Sequence, residues 1–230
     1  MFFGNKDGKL RRALVSRNWD LARKLVADGA NPNALSPKKV PIVAHVASLR
    51  DPEMLKVVLD LGANPNLHGA DTSYALLYAS SNGNVASVRL LLSHRANVND
   101  CDKTGLTPLM SASFMGNLEA MQELLSAKAN LEQKDMEGYT ALIFASNAKR
   151  LKPVELLIAA GSDVDAKDNT GSVGVMFAAQ NGNLDIVQAL VAAGADVAPR
   201  GTHGLTARGF AKQNGHTAVE QFLESIGAPL

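Results

Sequence analysis

Glycine returns every 33 residues along this chain, as Gly105, Gly138, Gly171 and Gly204 in one series and Gly29, Gly62, Gly161, Gly194 and Gly227 in another. A fixed period of that length constrains the fold more than any other feature. Each period must be one supersecondary unit that cannot bury its apolar face alone and does so against its neighbours. The expected product is an all-α repeat solenoid, in which no single cleft exists by default and function lies on a displayed surface. Steps of 33 divide residues 1–230 into seven units of a single domain. About 1–35 read as an N-terminal capping unit, 36–200 as five internal units and 201–230 as a C-terminal capping unit.

Residues 102–134 show how one unit is built. Asp102 to Gly105 supplies turn chemistry, Thr107 is a candidate N-cap, and Pro108 falls at the first helical position, where its missing N–H costs nothing. The first helix then lasts about two turns before Gly116-Asn117 interrupts it. Leu118, Met121, Leu124 and Leu125 resume an apolar stripe at helical spacing. The second helix ends near Lys128, where most copies place glycine, the residue best suited to a left-handed helix terminus. Arg95 and Lys128 are the two departures at that position. Each is expected to cost about 1 kcal/mol if the backbone stays left-handed there, and a remodelled or partner-facing turn is the other reading.

The segment Thr107-Pro108-Leu109 with Ala112, then Gly116-Asn117, Leu124-Leu125 and the closing Ala129-Asn130, resembles the ankyrin repeat. The closing segment recurs as Gly29-Ala30-Asn31-Pro32-Asn33, Gly62-Ala63-Asn64-Pro65-Asn66 and Gly161-Ser162-Asp163-Val164-Asp165. The opening recurs as Gly138-Tyr139-Thr140-Ala141-Leu142 and Gly204-Leu205-Thr206-Ala207. The resemblance implies helix-turn-helix units joined by β-turn hairpins, and a binding face made of hairpin tips and first helices. At the ends, Lys9-Leu10-Arg11-Arg12 gives the first unit a polar face, while Leu21, Leu25 and Val26 keep an inward stripe. In the last unit Arg208, Lys212, Glu220 and Glu224 interleave with Phe210, Ala211, Val219, Phe222 and Leu223. Both patterns are those of capping units, so the stack is expected to be whole.

Charge narrows the partner. With 23 basic and 22 acidic residues the formal net charge is +1, an even total that supplies no general attraction to nucleic acid or anionic lipid. The expected partner is another folded protein, with no nucleic acid and no membrane insertion, and the free chain is expected to be a monomer. Cys101 is the one cysteine, so neither an intrachain disulfide nor a cysteine-rich zinc site can form. No apolar run reaches the roughly 20 residues that span a bilayer. Met1-Phe2-Phe3-Gly4 is too short for a secretory signal. The expected location is the periplasm if this is the processed form of an exported protein, and otherwise the cytoplasm.

On the face that the resemblance assigns to binding, the fourth unit places Lys103, Leu106, Phe114 and Met115, and the fifth Met136, Tyr139 and Asn147, with Lys134 between them and Tyr74 before them. Leu106, Phe114, Met115, Met136 and Tyr139 are apolar where exposure is expected, which marks a contact site; lateral core is the competing reading. Polar positions flank them, Asp71, Ser73, Ser81 and Asn82 on one side and Asn169, Thr170, Ser172, Gln180 and Asn181 on the other. Tyr78, Phe144, Phe177 and Phe210 share one register and read as stacked core. Lys149-Arg150-Leu151-Lys152-Pro153 reads as a solvated corner, His45 as a core histidine, and His68 and His203 as turn-tip residues. No metal-ligand spacing, phosphate loop or nucleophile motif is present, so no enzyme and no cofactor are expected. The expected function is non-catalytic binding that occludes one protein partner. A similarity to bacterial ankyrin immunity proteins implies a cell-wall peptidase as that partner. The alternative is a cytoplasmic adaptor or effector bridging two proteins.

Overall fold

The computed structural model describes residues 6–70 and 74–230. Its 14 α-helices form seven antiparallel pairs: α1 Lys6–Val15 with α2 Trp19–Ala27, α3 Ile42–Ser48 with α4 Pro52–Asp60, α5 Ala75–Ser81 with α6 Val85–Ser93, α7 Pro108–Met115 with α8 Leu118–Ser126, α9 Ala141–Asn147 with α10 Leu151–Ala159, α11 Gly174–Gln180 with α12 Leu184–Ala192, and α13 Ala207–Gln213 with α14 Thr217–Ser225. From α3 onward the odd-numbered helices stack in one layer and, from α4, the even-numbered ones in a second. Among the described residues there is no strand, and only an isolated bridge between Leu35 and Pro41.

The caps follow the chemistry of the sequence. Thr107, Thr140 and Thr206 accept the N–H of Met110, Ile143 and Gly209, satisfying donors that a helix start leaves open. The core lies between the two layers. Leu91, Leu124, Leu157 and Leu190, one per unit, are fully buried, and truncating any of them to alanine would cost about 2–5 kcal/mol. Leu90, Leu125, Leu156 and Val191 are only partly buried against that core. In the first unit Ala22 and Leu25 face inward, whereas Leu21 is exposed, so the inward stripe of α2 runs through Ala22 instead.

Among the described residues, left-handed backbone recurs at two positions in all seven units and at a third in five of them. The series that closes the second helix includes Arg95 at φ 65° and Lys128 at φ 67°, so these turns are not remodelled. A further series lies between the helices, where Arg17, Arg50 and Lys149 stand in register with Gly83, Gly116, Gly182 and Gly215. Lys149 therefore replaces a turn glycine without altering the turn. Six of the seven non-glycine residues with positive φ are lysine or arginine. Those at helix ends lie where a cation offsets the negative end of the helix dipole.

Successive units are also tied by a polar ladder. Asn33, Asn66, Asn99, Glu132 and Asp165 each accept, through the side chain, the backbone N–H of Asn64, Asn97, Asn130, Asp163 and Asp196 in the next unit, at 2.7–2.9 Å. The recurring closing segment is thus a joint between units as well as a helix stop. No helix among the described residues is long and apolar enough to cross a membrane.

Candidate functional site

The loops entering α7, α9 and α11 project as fingers, each wound around an aspartate. Asp102 Oδ1 accepts the N–H of Thr104 at 2.8 Å and of Leu106 at 3.0 Å. Asp135 Oδ1 accepts from Glu137 at 3.1 Å and Tyr139 at 2.7 Å, and Asp168 Oδ1 from Thr170 and Ser172, both at 2.8 Å. A glycine with positive φ ends each turn, and in the first two fingers the neighbour leaves no space for a side chain: a Cβ on Gly105 would lie 2.8 Å from Asp135 Cα, and one on Gly138 2.7 Å from the Asn169 nitrogen. The fingers are bonded side by side. Met136 N donates to Thr104 O at 2.8 Å, Asn169 N to Glu137 O at 3.0 Å, and Asn169 Nδ2 to Met136 O at 2.7 Å.

This scaffold displays an aromatic ridge. Phe114 and Met115 end α7 with 45% of each exposed, and Met136 tips a finger at 69%. The Phe114 ring stands edge-on to Phe144 with centroids 6.3 Å apart. Tyr139 meets Phe144 at 5.6 Å and Phe177 at 5.2 Å, both edge-on. Four rings from three units thus run in one chain of contacts, each pair in an orientation that the ring quadrupoles favour. Phe144, Phe177 and Tyr78 are half-buried and Phe210 is buried. Only Phe210 is stacked core as expected, since the shared register lies on the open side of the first-helix layer. His45 occupies that register too and is exposed, so it is not a core histidine.

Other expected contact residues divide. Lys103 is exposed, and Lys134 is exposed with Nζ donating to Lys167 O at 2.8 Å across one unit. Asn147 is exposed and accepts from Asn181 Nδ2 at 3.1 Å. Leu106 and Tyr139 are half-buried, Leu106 packed against the core and Tyr139 within the row of rings. Tyr74 is a correction: it is 1% exposed, because it holds the N-cap register that Thr107, Thr140 and Thr206 hold, and that register points inward. Its hydroxyl donates to Asp100 O at 2.6 Å, and its ring stacks on His68 at 4.7 Å. His68 in turn meets Asp100 Oδ2 at 2.7 Å, so it serves this joint between units. Of the flanking polar positions, Asn169, Thr170 and Gln180 are exposed, Ser81, Asn82 and Asn181 are half-buried, and Ser172 is buried. Asp71 and Ser73 lie outside the described residues.

The electrostatics are modest. Burial, then Asp168, Asp135 and Glu137, push the Tyr139 hydroxyl above its ordinary value. Burial raises Asp135 despite the two backbone donors that oppose the shift. Arg150 is no mere corner residue: its Nε caps Phe114 O at 3.1 Å and so supports the end of α7. Lys152 of the same basic run pairs with Glu155 at 2.8 Å. The role of Phe144 and Phe177 was hidden because helical spacing alone does not tell the packed side of a first helix from its open side. The one available signal is that four aromatics and a histidine share a register.

A family model described as ankyrin repeats matches residues 42–135 as three copies, and one described as ankyrin repeat matches residues 137–169 and 175–201. No curated protein matches the chain.

Proposed function

The chain belongs to the ankyrin repeat family, whose members are protein–protein interaction modules and generally non-catalytic, and we propose that it grips one folded protein across the ridge formed by units four to six. The observation that carries this reading is the row Phe114, Phe144, Tyr139 and Phe177, with Met115 and Met136 projecting beside it. Rigid aromatics with adaptable methionines, rimmed by polar residues, are the composition of an interface centre. The fingers and first helices of three or four units offer about the 800 Å² that each side of an ordinary interface contributes.

A partner held across this ridge would have the surface beneath it occluded. The similarity to bacterial ankyrin immunity proteins supplies a candidate class for that partner, a cell-wall peptidase, with the chain as its inhibitor. The test is affinity capture followed by light scattering on the purified complex and a peptidoglycan-cleavage assay. A 1:1 complex with a silenced hydrolase supports inhibition; a ternary complex with two proteins supports the adaptor instead. The ridge is tested by Phe114→Ser, Met115→Ser and Met136→Ser together. These exposed side chains should leave the fold intact and weaken binding by at least 100-fold, about 2.7 kcal/mol. A folded triple variant that binds as before would remove the ridge from the interface.

A further inference from the structure

The even charge total hides an uneven distribution. Residues 1–50 hold ten of the 23 basic side chains and three of the 22 acidic ones, so the first units are cationic and the remainder is net acidic. The even total therefore does not describe this end of the solenoid, where basic side chains are concentrated. Of the three acids, Asp7 accepts the Asn31 N–H at 2.8 Å and Asp20 pairs with Arg23 at 3.2 Å. Arg17 is held by Asp51 at 2.6 Å and Glu53 at 3.3 Å. Lys9, Arg12, Lys38, Lys39 and Arg50 make no ion pair among the described residues.

The same end contains an apolar recess. α1 packs on α3 less closely than any other neighbouring pair of first helices, and the gap is a groove lined by Leu14, Val15, Val40, Ile42 and Val46, with Arg11 and His45. Val15 is 63% exposed. Arg12 shares an adjoining hollow with Arg11 and Val15. Lys38 and Lys39 occupy the turn between Ser36 and Val40, one of which begins and the other ends it, and both of which reach the groove. Arg11 already donates to Leu35 O, and its Nε is buried with no partner. No acidic side chain lines either hollow.

We propose that this groove is a second docking site, for an acidic peptide segment that seats an apolar side chain between α1 and α3 and sets its carboxylates against Arg12, Lys38 and Lys39. An apolar slot with a rim of one charge selects a ligand carrying both complements. Single-stranded nucleic acid uses aromatic stacking platforms, and His45 is the one ring in this lining. A bilayer takes up protruding apolar side chains, whereas most of the apolar surface here lines a recess. The site is two units away from the aromatic ridge and stands independently of the function proposed for it.

The probe is a fluorescein-labelled peptide of repeated Glu-Glu-Leu, titrated with the full chain by fluorescence anisotropy. Binding should weaken at least tenfold between about 50 mM and about 300 mM salt, as screening shortens the reach of exposed charges. It should weaken at least tenfold in the Arg12→Glu, Lys38→Glu double variant, and again in Val15→Asp, with unchanged circular dichroism. The serine triple variant of the ridge should bind the peptide as the unaltered chain does, which separates failure of this site from failure of the ridge. Equal binding of a peptide with serine for leucine, or of the charge-reversed variant, would overturn the proposal. So would tighter binding of phosphatidylserine vesicles or oligothymidine than of the peptide.

Discussion

Glycine at Arg95 and Lys128 should stabilise the stack, although both side chains are charged, exposed and at helix termini. Both residues hold left-handed backbone, at φ 65° and 67°, where five other units place glycine at φ 77–92°. A side chain there costs about 1–2 kcal/mol. Against this, a cation at a helix C-terminus contributes about 0.3–1 kcal/mol. Glycine also loses more backbone entropy on folding, which reduces the gain further. The main-chain bonds are indifferent to the exchange: Arg95 N to Leu92 O, Lys128 N to Leu125 O and Asn66 Nδ2 to Arg95 O all survive it. The expected net is a gain of about 0.5 kcal/mol per site, and the reciprocal Gly161→Lys should lose about as much by the same balance. With a urea slope of about 2 kcal/mol/M, each gain moves the midpoint up by roughly 0.2–0.3 M. Unfolding is to be followed by circular dichroism and separately by Trp19 fluorescence, since an array can lose cooperativity and one end can melt alone. A fall in midpoint for Arg95→Gly comparable to that for Gly161→Lys would refute the reasoning, and would show the dipole to outweigh the backbone.

Tyr74→Phe should cost about 1–3 kcal/mol in chemical denaturation by stranding the Asp100 carbonyl that its hydroxyl now satisfies, and should leave ridge binding unchanged. Asp135→Asn keeps an oxygen for the Glu137 and Tyr139 N–H groups and removes a carboxylate that burial disfavours. Its melting temperature at neutral pH should equal or exceed that of the unaltered chain. The native carboxyl binds its proton at higher pH than the unfolded one, so the unaltered chain should close that difference as pH falls through the raised pKa. Burial, with Asp100 and Asp102 beside it, pushes the Cys101 thiol up, so its reaction with a disulfide reagent at neutral pH should be slower than that of a free thiol, and urea should restore the ordinary rate.

The period alone determined the architecture of this chain. A glycine whose φ must be positive and a Thr-Pro start that caps a helix are local requirements, satisfied within a few residues, so they are legible wherever they recur. The same locality singled out Arg95 and Lys128 as departures, with a left-handed or a remodelled turn both open, and the backbone at φ 65° and 67° is left-handed. What the tertiary structure decided is which side of each first helix is open. Tyr74 and Tyr139 both enter a first helix, but one residue of register separates them: Tyr74 holds the N-cap position and is sealed, and Tyr139 the position before it, in a row of rings, while how far each position is covered depends on the unit stacked next door. Phe144 and Phe177 joined the ridge for that reason, and His45 left the core. The looseness between α1 and α3 was equally invisible, since a gap is a relation between two units that each obey the repeat.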